Sequence, residues 1–307
     1  MKNAVLFVVM LLALFDSGCT KKSSELGTVE NPIKFHFVPS VDSQLIESNS
    51  KVFKQYLENN TPYKFEVIIP QSFTAVVEAF GTEKADVAVL NTFGYIKAHE
   101  KYQAEARLTV IRNGHANYQS QFIARSDSKI KKLEDLQGKK IAFVDSSSMS
   151  GYLLPLKTLN DKKIKPRETM FGQKHDNVVA MVYQGVVDAG ATFYSPPFKD
   201  EKGVSQIEDA RRLVKTQYPD VEQKVSIIYL SESIPNDPVT FRKGIPEKIK
   251  LKLINAMIDF IATPEGKKAF SAIYGVTDLK LAKDADYELV RMMFKELGQD
   301  PSDLMKK

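Results

Sequence analysis

A chain of 307 residues with one cysteine has no internal disulfide. Its four histidines, at positions 36, 99, 115 and 175, show no metal-ligand spacing with each other or with the single thiol, so no metal and no cofactor is expected. Lys and Arg are spread along the chain. No dense basic run with interleaved aromatics occurs, which leaves nucleic-acid binding without support. There is no internal repeat and no low-complexity block. Beyond the N-terminus no run is apolar enough to span a membrane. What remains is ordinary globular composition, 43% hydrophobic and 26% charged, with length for about two domains. A net charge of +5 chiefly favours solubility and mildly favours an anionic ligand.

The N-terminus "MKNAVLFVVMLLALFDSGC" places Lys2 before an apolar run from Ala4 to Phe15. That run is too short for a spanning helix of about 20 residues and has the form of a secretory signal. Ser17 and Gly18 before Cys19 resemble the lipobox of bacterial lipoproteins, whose cysteine is acylated and becomes the new N-terminus. Asp16 departs from the apolar residue usual there; the alternatives are a plain cleaved signal or an incidental cysteine. Residues 1–19 are therefore expected to be a lipoprotein signal ending at a lipidated Cys19, and residues 20–30 a polar tether.

Periodicity over the next hundred residues reads β-α-β-α-β. "IKFHFVPS" and "YKFEVIIP" alternate as strands, "SNSKVFKQYLENN" and "FTAVVEAFGTEKA" are helices, and "DVAVLN" is a buried strand. Such alternation points to an α/β fold with a largely parallel sheet. Two further strands, "ARLTVIRNG" and "YQSQFIARS", precede a second βαβα unit. In it "SKIKKLEDLQG" reads as a polar helix and "SGYLLPLKTLNDKK" as a helix kinked at Pro155. "KVSIIYLSESIP" is a strand, two helices meet near Pro264 with Pro246 suited to a first helical position, and residues 285–297 read as an amphipathic helix. Two lobes emerge, expected to take residues 30–117 with 230–307, and residues 118–229. The 224–235 strand is expected to return the chain to the first sheet.

Ligands of such sheets bind beyond the carboxyl ends of strands. "DSSSMSGY" lies at such an end, before a helix, where hydroxyls and unpaired N–H groups make an anion seat. Serine is also an ordinary N-cap, and the loop lacks the Gly-x4-Gly-Lys pattern of a nucleotide-binding P-loop. His175, between a strand and a helix, can donate to an oxyanion or simply bond its own turn. Asp237, between two prolines, is either an exposed turn residue or, in a desolvated cleft, an acceptor for a P–OH proton that sulfate lacks. Tyr118, Phe73 and Tyr95 flank these positions as contacts, core or rim residues.

In order along the chain, "DVAVLNTFGY", "NYQSQFIARSDSKIKKLEDLQGKKIAFVDSSSMSGYLLP", "GQKHDNVVAMVYQGVVDAGAT" and "SESIPNDPVTFRK" resemble segments of one family. It is the phosphate/phosphite/phosphonate-binding proteins of bacterial ABC importers, which have the two-lobed type II periplasmic binding fold. The resemblance covers about residues 33–275. It implies a ligand cleft between lobes, an anion loop at Ser148, Met149 and Ser150, and ligand contacts from Tyr118, His175 and Asp237. Phe73 stands where phosphonate binders have tyrosine, Met149 where the family has threonine, and Ser195 where aminoalkylphosphonate binders have glutamate. A small oxyanion is thus favoured over an aminoalkyl phosphonate. The implied protein is a monomeric, lipid-anchored solute-binding protein on the periplasmic or cell-surface side of a bacterial membrane, partnered by an importer permease.

Two other readings stand beside it. One is a lipoprotein that reports ligand state to a membrane receptor. The other is a hydrolase with Ser148, His175 and Asp188 or Asp237 as nucleophile, base and acid, although no Gly-x-Ser-x-Gly elbow surrounds Ser148. The anchoring expectation is tested directly: Cys19→Ala should move the protein into the soluble fraction. A variant that stays with the membrane, or a mature N-terminus well beyond Cys19, would contradict it.

Overall fold

A computed structural model describes residues 25–200 and 202–296. The signal segment, Cys19 and the start of the tether lie outside the described residues. The first sheet has the order β13-β4-β12-β3-β1-β2. Its strands are β1 (Ile33–Phe37), β2 (Phe65–Ile68), β3 (Val87–Val89), β4 (Glu105–Ile111), β12 (Pro238–Phe241) and β13 (Asp278–Leu281). The second has the order β11-β5-β8-β6-β7, built from β5 (Asn117–Arg125), β6 (Lys140–Phe143), β7 (Glu168–Phe171), β8 (Ala189–Tyr194) and β11 (Val225–Pro235). β1 runs parallel to both β2 and β3, and β6 to both β7 and β8, as the alternation of strands and helices implies. A small ribbon of β9 (Phe198–Lys199) and β10 (Ser205–Gln206) stands apart.

Each sheet is covered on both faces, and side-chain alternation assigns the faces. In β3, Val87 and Val89 join Phe35 and Phe37 against α1 (Ser43–Asn60), α7 (Glu247–Ala262) and α8 (Pro264–Tyr274). There Phe53 meets Phe35 edge-on at 5.0 Å, and aromatic edge contacts of this kind add to plain area burial. Ala88 faces the other way, into the layer of α2 (Phe73–Gly81), α3 (Thr92–Tyr102) and α9 (Glu288–Glu296). In the second sheet Ile141 and Phe143 pack with Leu159 of α4 (Leu154–Asp161), while Ala142 packs on Val178 and Val182 of α5 (His175–Tyr183).

Several local expectations change. α1 starts earlier than the apolar periodicity, at Ser43, because Asp42 caps it by accepting from the N–H groups of Gln44 and Leu45. α3 has no counterpart in the sequence reading. Asn91 caps it, and a Cβ on Gly94 would meet the Asn91 Oδ1 at 2.8 Å, so glycine serves the tight first turn. Tyr95 therefore lies in a helix, with its hydroxyl donating to Asp284. The polar helix expected at 128–138 is only a 3-10 turn, Leu133–Leu136. The segment after Ser148 opens as one π turn, Met149–Leu153, that runs into α4, with Pro155 in the first turn of α4 rather than at a kink. Pro246 is the N-cap of α7, and Pro264 holds the first position of α8. Two short elements, the 3-10 turn Ala210–Val214 and α6 (Val221–Lys224), complete the second half.

The strand expected to re-enter the first sheet does not do so. β11 stays antiparallel to β5 as far as Pro235, opposite Asn117, with register shifts between Ile227 and Tyr229 and between Leu230 and Ser233. The return is made at Asn236 and Asp237, directly before β12. The outward crossing, residues 112–116, contains a tight Asn113–Gly114 turn. Both of its central residues have positive φ, which this residue pair adopts at low cost. We propose, from sheet membership, a first lobe of residues 25–114 and 236–296 and a second of 115–235.

Asn236 is fully buried between the crossings. Its Nδ2 donates to the carbonyls of Val110 and His115, at 2.9 and 2.8 Å, and its Oδ1 accepts from Arg112 Nη1 at 2.8 Å. Asn236→Ala would leave the Val110 carbonyl without this donor and an Arg112 guanidinium N–H short of a partner, while the His115 carbonyl keeps the Arg112 backbone N–H. We expect a loss of about 2–4 kcal/mol in urea unfolding; a change below about 0.5 kcal/mol would show that water replaces these bonds.

Candidate functional site

Four helices point their N-termini into the space between the sheets. Phe73 opens α2 behind its cap Ser72, and Asn91 caps α3. Ser148 caps the π turn leading into α4, and His175 opens α5. In each case the strand before the helix ends at the cleft, so topology and not sequence proximity gathers these residues. The first N–H groups of a helix lack intrahelical acceptors and carry partial positive charge, so four such ends make the cleft electropositive without a formal charge.

Between them lies a cavity of about 60 Å³. All seven residues singled out from the sequence line it: Phe73, Tyr118, Ser148, Met149, Ser150, His175 and Asp237. Tyr95 and Ser195 do not. Phe73 also lines an open groove of about 770 Å³ beside the cleft and so stands as the partition between the two. The lobes touch around the rim. Thr74 and Ser147 hydroxyls lie 3.2 Å apart, Asn91 Nδ2 donates to the Ser147 carbonyl at 3.0 Å, and the His175 N–H donates to the Ser40 carbonyl at 3.3 Å.

Ser148 accepts from the Gly151 N–H at 3.1 Å, which tightens the turn after β6. Gly151 is needed there because a Cβ would sit 2.4 Å from Val144 Cγ2. The Ser150 carbonyl accepts from the Ser120 hydroxyl at 2.6 Å and is thereby turned away from the cavity's polar wall. His175 is buried with its ring edge-on to Phe193, and its Nδ1 has no hydrogen-bond partner among the described residues. Burial, with the Arg112 charge adding, lowers its pKa to about 3, so the ring is neutral and offers one donor and one acceptor. The phenols of Tyr118 and Tyr274 are pushed up, first by burial and then by the Asp237 charge, and stay protonated donors.

The charged residues hold what the sequence reading missed. Arg112 comes from the outward crossing and Arg212 from the 3-10 turn Ala210–Val214, and both line the cavity. Arg112 donates through Nη2 to Asp237 Oδ2 at 2.6 Å and through Nε to the Tyr274 carbonyl at 2.7 Å, and its guanidinium lies 5.5 Å over the Tyr118 ring. Asp237 therefore does not meet the cavity as a bare negative charge, since Arg112 compensates it. Asn91 and Tyr274 were also missed. An Asn after a β-strand is a helix-cap signal, and it would have located Asn91. No sequence pattern marks the two arginines.

The family described as the periplasmic substrate-binding protein of the phosphonate ABC transporter matches residues 35–287. The chain is 22% identical over 278 residues to the phosphonates-binding periplasmic protein of Escherichia coli, covering 87% of this chain and 78% of that one. It is 28% identical over 200 residues to the phosphate-import protein PhnD of Mycolicibacterium smegmatis, covering 60% and 62%. Among solved structures, a binding protein component of an ABC phosphonate transporter from Pseudomonas aeruginosa superposes with TM-score 0.74 at 21% identity over 86% of this chain and 87% of that one. PhnD1 from Prochlorococcus marinus, in complex with methylphosphonate, superposes with TM-score 0.72 at 16% identity over 87% and 98%. These likenesses establish the fold, that of the periplasmic binding proteins, as expected from the sequence.

The buried neutral histidine has a measurable consequence. The unfolded chain binds a proton at this residue below its ordinary 6.5, whereas the folded chain does so only near 3. Stability is therefore fully present above pH 6.5 and declines as pH falls from there towards 3, by up to about 1.4 kcal/mol per pH unit from this group. His36, buried and lowered to about 4, acts in the same direction. Denaturant unfolding between about pH 7 and about pH 5 should show His175→Gln less pH-sensitive than the parent; equal slopes would mean the ring is not held neutral.

Proposed function

Because the chain belongs to the family of periplasmic substrate-binding proteins of phosphonate ABC transporters, we propose that it captures a small phosphorus oxyanion between its lobes and presents it to an importer permease. The ligand is phosphite, phosphate or a small phosphonate. The observation that carries this is the convergence of four helix N-termini, two serine hydroxyls and an unpartnered histidine nitrogen on one small cavity. Size supports it: one water needs about 10–15 Å³ of such space, so about four to six non-hydrogen atoms fit. That suits a tetrahedral oxyanion with at most a methyl group and falls well below drug-sized pockets of about 300–1,000 Å³. The relatives named for phosphonate and phosphate import, and the methylphosphonate complex, support the same ligand class.

Ser148 and Ser150 supply neutral donors, His175 and Tyr118 further donors, Met149 its backbone N–H, and Phe73 closes the outer wall. Asp237, fixed by Arg112, keeps an oxygen for a P–OH proton. The anchored, periplasm-facing, monomeric form expected from Cys19 and the signal completes the proposal. A hydrolase is disfavoured because nothing orients His175 as a base: Asp237 is held by Arg112, and Asp188 accepts from the Lys140 N–H.

Calorimetry of the mature protein against phosphite, phosphate, methylphosphonate, aminoethylphosphonate and sulfate tests the reading. A phosphorus oxyanion should bind, and Ser148→Ala combined with Ser150→Ala should weaken it by roughly tenfold or more. Binding of none of the phosphorus ligands, or an unaffected double variant, would place the function elsewhere.

A further inference from the structure

Three buried or half-buried arginines lie close to the cavity, and two of them are fully engaged. Arg112 donates to the Tyr274 carbonyl, to Asn236 and to Asp237. Arg211 forms a fork on Asp209, through Nε at 2.9 Å and Nη2 at 2.8 Å, and donates its Nη1 to the Val225 carbonyl. Arg212 is different. Its Nε has no hydrogen-bond partner among the described residues, nor has the nearest acceptor, Glu208 Oε2, which stands 3.4 Å away as a loose ion pair. Arg212 lines the cavity; Glu208 does not.

A guanidinium stays charged inside a protein and presents five donors in a rigid fork, so leaving them unmet in a desolvated site is unfavourable. Its position is also built rather than incidental. Arg212 belongs to the second lobe, yet its Nη2 lies 3.4 Å from where a Cβ on Gly275 of the first lobe would stand, and that same Cβ would meet Glu208 Oε2 at 2.7 Å. Gly275, with φ +67°, closes α8 and lets the pair come in against the opposite lobe. Arg112 and Asp237 cancel each other, and His175 is neutral. Arg212 is thus the cavity's one lining charge, among the described residues, whose counter-ion lies outside the lining and makes no hydrogen bond to it.

We propose that Arg212 contacts the ligand and sets its charge form, making the site prefer a doubly ionised phosphorus oxyanion over a singly charged anion of the same shape. This rests on the phosphorus-oxyanion reading above and adds a residue and a selection rule to it. Charge-assisted bonds from a guanidinium fork to two oxyanion oxygens strengthen with the charge on those oxygens, whereas the helix ends and hydroxyls discriminate less.

Methylphosphonate and methanesulfonate are near-isosteric probes. Above the phosphonate's second ionisation the first carries two charges and the second one. The parent protein should bind methylphosphonate more tightly, and Arg212→Gln should shrink that ratio by roughly ten- to a hundredfold. Glu208→Gln removes the loose partner without touching the lining and should keep or raise the ratio, while thermal unfolding reports whether each variant folds. A parent-like ratio in Arg212→Gln overturns the inference while leaving the ligand reading intact. Loss of the ratio in Glu208→Gln also overturns it, since the pair would then act through structure. A parent that binds phosphate but neither probe also overturns the inference, since the P–OH that Asp237 accepts would then outweigh Arg212; a parent that binds neither the probes nor phosphate fails the reading of the site itself.

Discussion

The site depends on one knot of hydrogen bonds where the chain crosses between its sheets. Arg112 on the outward crossing donates to Asn236 and Asp237 on the return crossing. Asn236 answers by donating to the carbonyls of Val110 and His115. Both crossings are short and neither sheet can hydrogen-bond them fully, so these side chains satisfy backbone groups that strand pairing leaves over. The knot ties together two α/β units that also share a buried apolar cluster. It also removes Asp237 from the role of a bare negative charge, which would otherwise oppose any anion in the cleft. A single ion pair therefore serves the hinge and the electrostatics together.

Around the knot, the cavity attracts anions mainly through groups without formal charge. Four helix ends, serine hydroxyls and the protonated Tyr118 phenol supply donors, whereas Tyr274 already donates to the Val38 carbonyl; in a dry site such donors are worth more than in water. Burial keeps His175 neutral, so it adds a hydrogen-bonding edge and no competing positive charge. The same burial makes unmet donors unfavourable. The His175 Nδ1 and Arg212 Nε are such unpartnered groups on residues that line the cavity.

Much of this was readable in the chain because it follows from local rules. Alternation in "IKFHF" and "DVAVLN" marks strands with two buried faces, and the small hydroxyl residues after "KKIAFV" mark a strand-to-helix turn that accepts anions. Ordered motifs between Asp86 and Lys243 resemble the family and imply seven ligand-side residues, all of which the fold brings to one cavity. What escaped was set by tertiary contact. Arg112 and Arg212 sit in segments with no periodic signal, and only the folded chain shows one arginine tied and the other loosely held. α3 was hidden because Gly94 and the buried Lys97 break its apolar stripe. Where the chain leaves the second sheet, after Pro235, is not legible in the sequence because an antiparallel edge strand and a crossing strand look alike until the pairing partner is known.

Among the described residues the direct bonds between the lobes include one hydroxyl pair, one amide-to-carbonyl bond, one backbone bond, Lys174 Nζ to Ser43 Oγ at 3.4 Å and the Thr92 hydroxyl to the Pro235 carbonyl at 2.9 Å. Each is worth only about 0.5–1.5 kcal/mol net once exchange with water is counted. Apolar contacts cross as well, with Met149 and Leu154 of the second lobe in one buried cluster with Phe73 and Val77 of the first, so a ligand's differential affinity acts on an interface already partly formed. Ser40 and Asn91 come from the first lobe, and Ser148, His175 and Arg212 from the second, so neither half of the cavity is complete alone. An anion held by both halves bonds the closed form more strongly than either open half. Closure is then a consequence of where the donors sit, with no separate switch needed in the chain.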